Sequence, residues 1–216
     1  MTQINAACLS TARTSGANAD NLLFAEQILP EINGGLAGVP ALSRSADEPL
    51  IAAVFDGTAA DGARSAHYAA KAFHSTLEPL ASGGAPGLLL DEIGKRLAAA
   101  GAPAVSAAAI SLRNGHLLLA DTGFCRAYLY RGNAMYLLSR STAPSDRAHT
   151  AGGVMHSGDR LLLCTDGLYE AMSEAEILRI LSSDGSPAAV LTRLEQRARE
   201  KGAADSITAI LLCAEG

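Results

Sequence analysis

The sequence contains no tryptophan, and aromatic residues make up only 4% of its 216 residues. Hydrophobic residues nevertheless account for 49% of the chain, which is enough to bury a large core. Because aromatic side chains are scarce, this core has to be built mainly from Ala, Leu, Val and Ile. The length predicts a single compact domain spanning residues 1–216.

Basic residues are also few, with 17 Lys and Arg against 22 Asp and Glu, so the net charge is −5. No basic stripe stands out along the chain, which argues against a nucleic acid as the partner. One stretch near the end is rich in basic residues, and we expect it to form a solvent-exposed face of the last helix. It comprises Arg193, Arg197, Arg199 and Lys201.

Long apolar runs and paired cysteines are missing as well. No stretch reaches the roughly 18 apolar residues that cross a bilayer, and Met1–Ser10 lacks the basic and apolar regions of a secretory signal. The cysteines do not form a C-x-x-C pair, so we predict buried free thiols in a reducing compartment. They are Cys8, Cys125, Cys164 and Cys213. By elimination, these absences predict a cytoplasmic protein without a membrane partner.

The order of predicted elements is strands, two helices, a meander of strands, two helices and a final strand. Because the helices come in pairs rather than after every strand, this order favours an α+β fold over a parallel doubly wound sheet. Ile4–Leu9 and Leu22–Leu29 are predicted strands, whereas Glu31–Glu48 and Ser141–Ser157 are predicted irregular.

Helix boundaries carry their own signals. Asp61 is a plausible N-cap for a helix whose apolar spacing runs to Pro79, and Leu88–Ala100 is predicted as a second helix. Ser173 and Glu176 have the spacing of a capping box that opens a helix.

Aspartates recur at strand ends. Asp56-Gly57 and Asp166-Gly167 each close an apolar strand, and Asp205 precedes another. Carboxylates that converge at a sheet edge repel each other, and an oxygen donor set without His or Cys suits Mg²⁺ or Mn²⁺. Two such ions can hold a phosphate and lower the pKa of a bound water. The alternative is that these are turn residues, because Asp-Gly is a common turn pair, and the pattern alone leaves both interpretations open.

Several motifs then point to a known family. Gly158–Leu168 reads GDRLLLCTDGL and resembles the G-D-x-L-L-L-C-S-D-G-L pattern of the type 2C (PPM-type), Mg²⁺/Mn²⁺-dependent serine/threonine protein phosphatases. Four further segments resemble motifs of that family and occur in the family's order, from about Asn18 to Cys213. They are Asn18-Ala19-Asp20, Ile51–Gly57 with the helix that follows, Arg126-Ala127-Tyr128-Leu129, and Asp205-Ser206-Ile207-Thr208.

The resemblance implies a four-layer α-β-β-α sandwich in which antiparallel helix pairs flank two antiparallel sheets. It also implies a site with two Mn²⁺ or Mg²⁺ ions. Asp56 would bridge both ions, and the Gly57 carbonyl would hold one of them. Asp166 and Asp205 would hold the other, and Asp20 would bind metal through water.

The activity implied is hydrolysis of phosphoserine and phosphothreonine in proteins by a metal-activated water, without a covalent intermediate. The implied catalytic residues are Asp56, Asp166 and Asp205. The expected partners are a phosphoprotein substrate and a cognate serine/threonine kinase, and we expect a monomer.

The sequence departs from the family pattern at three places. The family's D-G-M-G-G is here Asp56–Ala60, with alanines in place of two glycines. Ser15 occupies the position of a phosphate-gripping arginine, so we assign that role to the nearby Arg13. Phe124 stands where the family has an aspartate for a third metal, and Asp121 is expected to face the other side of the sheet, so we expect two ions.

These departures keep two alternatives open. A relative with weak or no catalysis would retain the fold and serve as a regulatory binding module. A metal-dependent hydrolase of another phosphate ester is the other alternative. The short Ser141–Ser157 region, where many relatives carry a longer flap, does not decide between them.

Overall fold

Two six-stranded antiparallel sheets lie face to face between layers of helices. The computed structural model describes residues 2–14, 16–58 and 60–216. In spatial order, the first sheet comprises β4 (Ala41–Ser45), β1 (Gln3–Thr11), β12 (Ile207–Glu215), β11 (Arg160–Cys164), β8 (Arg126–Arg131) and β9 (Ala134–Leu137). The second comprises β10 (His149–Val154), β7 (His116–Thr122), β6 (Val105–Arg113), β5 (Leu50–Gly57), β2 (Asp20–Phe24) and β3 (Gln27–Ile28).

Helices cover the outer face of each sheet. The second sheet is covered by α1 (Gly62–His74), α2 (Leu77–Ala81) and α3 (Pro86–Ala99). The first is covered by α4 (Asp166–Tyr169), α5 (Glu174–Leu181) and α6 (Pro187–Glu200). The predicted α+β sandwich with two antiparallel sheets is therefore confirmed.

Three hydrophobic layers follow from the two-residue period of the strands. Alternate residues such as Ile110, Leu163 and Leu212 fill the space between the sheets, and their neighbours point towards the helices. The helix-facing layer of the second sheet is rich in alanine on both β5–β6 and α1. Small side chains let α1 approach the sheet closely, and the rings of Phe55 and Phe73 meet there at 5.4 Å.

Three predicted segments differ in the structure. Leu22–Leu29 is a hairpin instead of one strand, because Ala25 and Glu26 adopt positive φ and turn the chain without a glycine or proline. The segments predicted as irregular, Glu31–Glu48 and Ser141–Ser157, contain β4 and β10. Both strands lie at sheet edges with half-exposed side chains, so they lack the apolar alternation by which strands are recognised.

Helix boundaries were predicted with mixed success. The capping box of Ser173 and Glu176 is confirmed, with both reciprocal hydrogen bonds present. Asp61 occupies the N-cap position of α1, but its side chain makes no capping hydrogen bond. The helix predicted to run to Pro79 ends at His74, and α2 begins after a short turn. Within the described ranges, no helix is both long and apolar enough to span a membrane.

Gly167 fixes how α4 packs against the first sheet. A Cβ on Gly167 would lie 2.0 Å from the backbone oxygen of Ser206, so no larger residue fits without a shift of the backbone. Gly94 on α3 is a contrasting helical glycine, because a Cβ there would meet no atom within 4 Å.

We therefore predict opposite effects from one substitution at these two positions. Gly167→Ala should lower the free energy of unfolding by roughly 1–3 kcal/mol through overpacking. Gly94→Ala should raise it by up to about 1 kcal/mol through helix propensity. Thermal unfolding measures both, with about 2–4 °C expected per kcal/mol in a chain of this length. Equal melting temperatures for the two variants would contradict the packing described for Gly167.

Candidate functional site

The layer between the two sheets changes from apolar to polar at one end. In six strands, the row of inward-facing apolar residues ends in one polar residue at that end of the layer. In the first sheet these residues are Ser10, Thr165 and Thr208, and in the second they are Asp20, Asp56 and Ser106. Each lies on or directly beside its strand, so the sequence alternation itself places them together.

Asp20 and Asp56 are neighbours in the second sheet. They are register partners on the antiparallel strands β2 and β5. Their exposed fractions are only 3% and 8%. Two carboxylates are thus placed side by side in a largely buried position.

Asp166 and Asp205 come from the first sheet. Asp166 begins α4 directly after β11, and Asp205 lies just before β12. The contact between Gly167 and the Ser206 backbone brings these two chain segments together. Asp166 is half-buried and Asp205 is exposed, so the four acids run from the interior to the surface.

Hydrogen bonds join the two sheets at this end. The Thr165 hydroxyl donates to Oδ2 of Asp20 at 2.9 Å, and the backbone N–H of Ala19 donates to Oγ of Ser206 at 3.2 Å. Asn18 donates to the Ser10 hydroxyl at 2.9 Å. These bonds satisfy buried polar groups and fix the two sheets relative to each other around the acids.

Burial and mutual repulsion raise the pKa values of Asp20, Asp56 and Asp166. The pKa of Asp56 is raised to about 8, first by burial and then by the charges of Asp20, Asp166 and Asp205. The pKa of Asp20 is raised to about 7 by burial, against the opposing effect of the Thr165 hydrogen bond. Burial also raises the pKa of Asp166, with the charge of Asp205 among the further causes. The cluster therefore favours neutralisation by protons or by cations.

The donor set fits hard divalent ions, because it consists of oxygen atoms that need positive charge. Among residues 2–14, 16–58 and 60–216, no three His, Cys, Asp or Glu side chains already form a closed ligand set for one ion. The negative charges nevertheless converge, since each of Asp20, Asp56 and Asp166 has its pKa raised in part by other acids of the cluster.

Gly57 places the end of β5 against the start of α1. A Cβ on Gly57 would lie 2.1 Å from the carbonyl oxygen of Gly62. Beyond Gly57, the Thr58 hydroxyl donates to the carbonyl of Ala104 at 3.0 Å. Ala59 of the altered loop lies outside the described residues.

Arg13 is an exposed residue in the segment that follows β1. That segment is tied to the chain before Asp205, because the N–H of Thr14 donates to the carbonyl of Ala204 at 3.1 Å. Arg13 and Asp205 thus belong to adjoining segments, and the assignment of Arg13 to phosphate binding stays a prediction. Ser15 lies outside the described residues.

Phe124 lies in a turn after the end of β7, with 45% of its surface exposed. The argument from alternation along an extended strand therefore does not apply between Asp121 and Phe124. The carboxylate of Asp121 has other partners, Nδ1 of His149 at 2.7 Å and the N–H of Arg140 at 2.9 Å. Phe124 has no carboxylate, and both carboxylate oxygens of Asp121 already have hydrogen-bond partners.

Motif reasoning identified the acids but not the hydroxyl and amide groups that hold them. Thr165, Ser206 and Thr208 lie within the quoted motifs, but the motifs do not reveal that the Thr165 hydroxyl donates to Asp20 or that the Ser206 hydroxyl accepts from the N–H of Ala19. The alternation of inward- and outward-facing residues along the strands does indicate these groups, because the inward-facing positions of β1, β6 and β12 all become polar at the same end.

Comparison with known proteins places the chain in a family. Residues 62–215 match the family model described as stage II sporulation protein E (SpoIIE). The chain belongs to the SpoIIE family. This membership agrees with the resemblance to type 2C phosphatases, which is confirmed. The match includes Asp166 and Asp205 but begins after Asp20 and Asp56. No curated protein sequence matches significantly.

Solved structures, one of them a serine/threonine protein phosphatase, share the fold of this SpoIIE-family chain. The catalytic domain of the serine/threonine protein phosphatase PstP, in complex with two manganese ions, is 19% identical with a TM-score of 0.72, and 100% of each chain is covered. PppA of Pseudomonas aeruginosa is 20% identical with a TM-score of 0.75, over 99% of this chain and 100% of PppA. RsbX in complex with magnesium is 13% identical with a TM-score of 0.74, over 99% and 96% of the two chains.

The raised pKa values predict how stability depends on pH in the metal-free protein. A carboxyl whose folded pKa lies above its unfolded value of 3.8 adds most stability when protonated. The free energy of unfolding should therefore fall as the pH rises from about 4 to about 8, the window given by Asp56 and Asp20. Melting temperatures in EDTA across this range measure the effect.

A substitution tests the same prediction. Asp56→Asn should flatten the fall, because the amide stays neutral at every pH. Asp184→Asn, at an exposed position outside the cluster, should follow the wild type. A pH profile unchanged by Asp56→Asn would show that this carboxyl does not titrate as described.

Proposed function

We propose that the chain hydrolyses phosphoserine and phosphothreonine in proteins with the help of bound Mn²⁺ or Mg²⁺. The observation that carries this proposal is the convergence of four aspartates from both sheets, two of them buried with raised pKa values. Membership of the SpoIIE family supports it. So does the shared fold of a serine/threonine phosphatase solved with two manganese ions.

Each acid has a proposed place in binding two ions. Asp56 would serve both ions, the Gly57 carbonyl would help to hold one, Asp166 and Asp205 would help to hold the other, and Asp20 would act through water. When bound, such ions supply positive charge beside a phosphate and lower the pKa of a water. The several carboxylates of this donor set should favour divalent over monovalent ions.

Other residues prepare the site. The Thr165 hydroxyl donates a hydrogen bond that fixes one oxygen of Asp20. Arg13 is proposed to bind the substrate phosphate, since its guanidinium can donate two parallel hydrogen bonds to phosphate oxygens. The proposal further includes a monomer in the cytoplasm that acts on a phosphoprotein and opposes a cognate serine/threonine kinase.

A regulatory binding module is the second candidate, favoured by Phe124 at the place of the family's third-metal aspartate. PppA, which shares the fold, is described as a key regulatory component of a secretion system. Turnover of an aryl phosphate with Mn²⁺ separates the two candidates, and profiling of phosphate esters tests the third, a hydrolase of another ester.

The catalytic proposal predicts that Asp56→Asn abolishes Mn²⁺-dependent turnover of an aryl phosphate and of a phosphothreonine peptide. The amide keeps the size of the side chain but lacks the negative charge that both ions need. Steady-state rates with and without EDTA measure the effect, and Asp184→Asn serves as the matched control. An Asp56→Asn variant that kept most of the wild-type rate would refute the site assignment.

Metal binding should also stabilise the fold. Mn²⁺ relieves the repulsion among Asp56, Asp166 and Asp205, so the melting temperature should rise with its concentration. A ligand at 100 times its dissociation constant adds about 2.7 kcal/mol. The rise should be larger near pH 8 than near pH 5, where protons already neutralise the buried acids. A melting temperature insensitive to millimolar Mn²⁺ and Mg²⁺ would argue against a metal site and for the regulatory module.

A further inference from the structure

Arg199, in the last turn of α6, binds two chain segments at the edge of the candidate site. Its Nη1 donates to the carbonyls of Ala203 at 2.9 Å and Asp205 at 2.8 Å. Its Nη2 donates to the hydroxyl of Thr11 and to the carbonyl of Ala12, both at 3.0 Å. Four N–H groups of one guanidinium thus hold two segments together.

These two segments carry residues of the candidate site. The first continues to Arg13, and the second contains Asp205 itself. They also touch each other directly, through the hydrogen bond from Thr14 N–H to the Ala204 carbonyl. Asp205 is exposed, and its carboxylate accepts a hydrogen bond from the N–H of Ser206 at 2.7 Å, so its position depends on the local backbone.

We infer that Arg199 is a positioning residue that sets the place of Asp205 and of the segment leading to Arg13. The inference deepens the proposed function and rests on it. Arg199 acts through the carbonyls of Ala12, Ala203 and Asp205 and through the Thr11 hydroxyl. Outer groups that orient metal ligands typically change metal affinity by about 10- to 100-fold when they are removed.

Arginine is required by the geometry. A guanidinium presents its donors in a rigid planar fork, so two nitrogens can serve two segments at once. The ammonium of lysine is a single point and cannot span both sets of acceptors. Oε1 of Glu195, one turn earlier on α6, lies 3.6 Å from Nε of Arg199, so the two side chains form an ion pair.

The structure corrects the expectation that Arg199 belongs to a solvent-exposed basic face. Only 24% of its side chain is exposed. Arg197 on the same helix is a natural comparison, because it pairs with Glu176 on α5 and Glu200 on α6 and contacts neither site segment. The two arginines therefore share a helix and form ion pairs, but Arg197 links α6 to α5 whereas Arg199 links α6 to the two site segments.

The test compares Arg199→Ala, Arg199→Lys and the control Arg197→Ala. Calorimetric titration with Mn²⁺, well below the melting temperature of each variant, gives the metal affinity without a requirement for turnover. We expect both Arg199 variants to bind Mn²⁺ about 10- to 100-fold more weakly than the wild type. Arg197→Ala should keep the wild-type affinity, even if its melting temperature falls by a similar amount.

A second measurement needs no metal. Hydrogen exchange of the Thr14 and Ser206 amides should become faster in metal-free Arg199→Ala and Arg199→Lys, and should be unchanged in Arg197→Ala. A charge effect alone would be rescued by lysine, so recovery in Arg199→Lys would overturn the positioning role. Wild-type Mn²⁺ affinity in both Arg199 variants would overturn it as well.

The same data separate the failure of this inference from the failure of the proposed function. A wild-type protein that neither binds Mn²⁺ nor hydrolyses a phosphate ester refutes the proposed function and the positioning role together. A wild-type protein that binds Mn²⁺, with unaltered Arg199 variants, refutes the positioning role alone.

Discussion

The burial of neighbouring carboxylates, together with their mutual repulsion, is the constraint on which the arrangement of this site depends. Asp20 and Asp56 sit side by side where water is largely excluded, and the remaining two acids add negative charge from the opposite sheet. An ionised carboxylate in such a place is costly without compensation. The fold tolerates the cluster because protons or cations can neutralise it, and this tolerance ties the chemistry of the site to stability.

The hydrophobic packing of the rest of the fold supplies the stability that offsets the cost of burying these carboxylates. Three hydrophobic layers, from helices to sheet to sheet to helices, exclude water and hold the sheets together. The polar groups at the open end then complete the structure by hydrogen bonds, as with Thr165 and Asp20. Close contacts at Gly57 and Gly167 place the acidic residues before them at fixed backbone positions. Packing therefore sets the positions of charges that would otherwise move apart.

The sequence predicts the fold well where residue periods are strong. The apolar runs of β5, β11 and β12 and the capping box at Ser173 all have local causes, so they can be recognised without a structure. The edge strands β4 and β10 cannot, since their side chains are half-exposed and their pairing is decided by distant partners. The turn at Ala25 and Glu26 is also hidden, because neither residue type favours positive φ.

The candidate site shows the same division between local and distant causes. The aspartates can be found because each follows or precedes an apolar strand, and their convergence follows from strand ends meeting at one edge. Arg199 could not be assigned from sequence, because its partners at Thr11 and Ala12 are nearly the whole chain away. A basic residue on an amphipathic helix has the same local pattern whether it faces solvent or holds two segments.

The four acids are divided between the two sheets, so the site lies where the two sheets face each other. Asp20 and Asp56 belong to one sheet, and Asp166 and Asp205 flank strands of the other, so their spacing depends on how the two sheets are aligned. A shear of only a few ångströms would separate the two pairs while leaving every strand ladder intact. The hydrogen bonds from Thr165 to Asp20 and from Ala19 to Ser206 cross between the sheets beside these acids, so the bonds that align the sheets also set the spacing of the two carboxylate pairs.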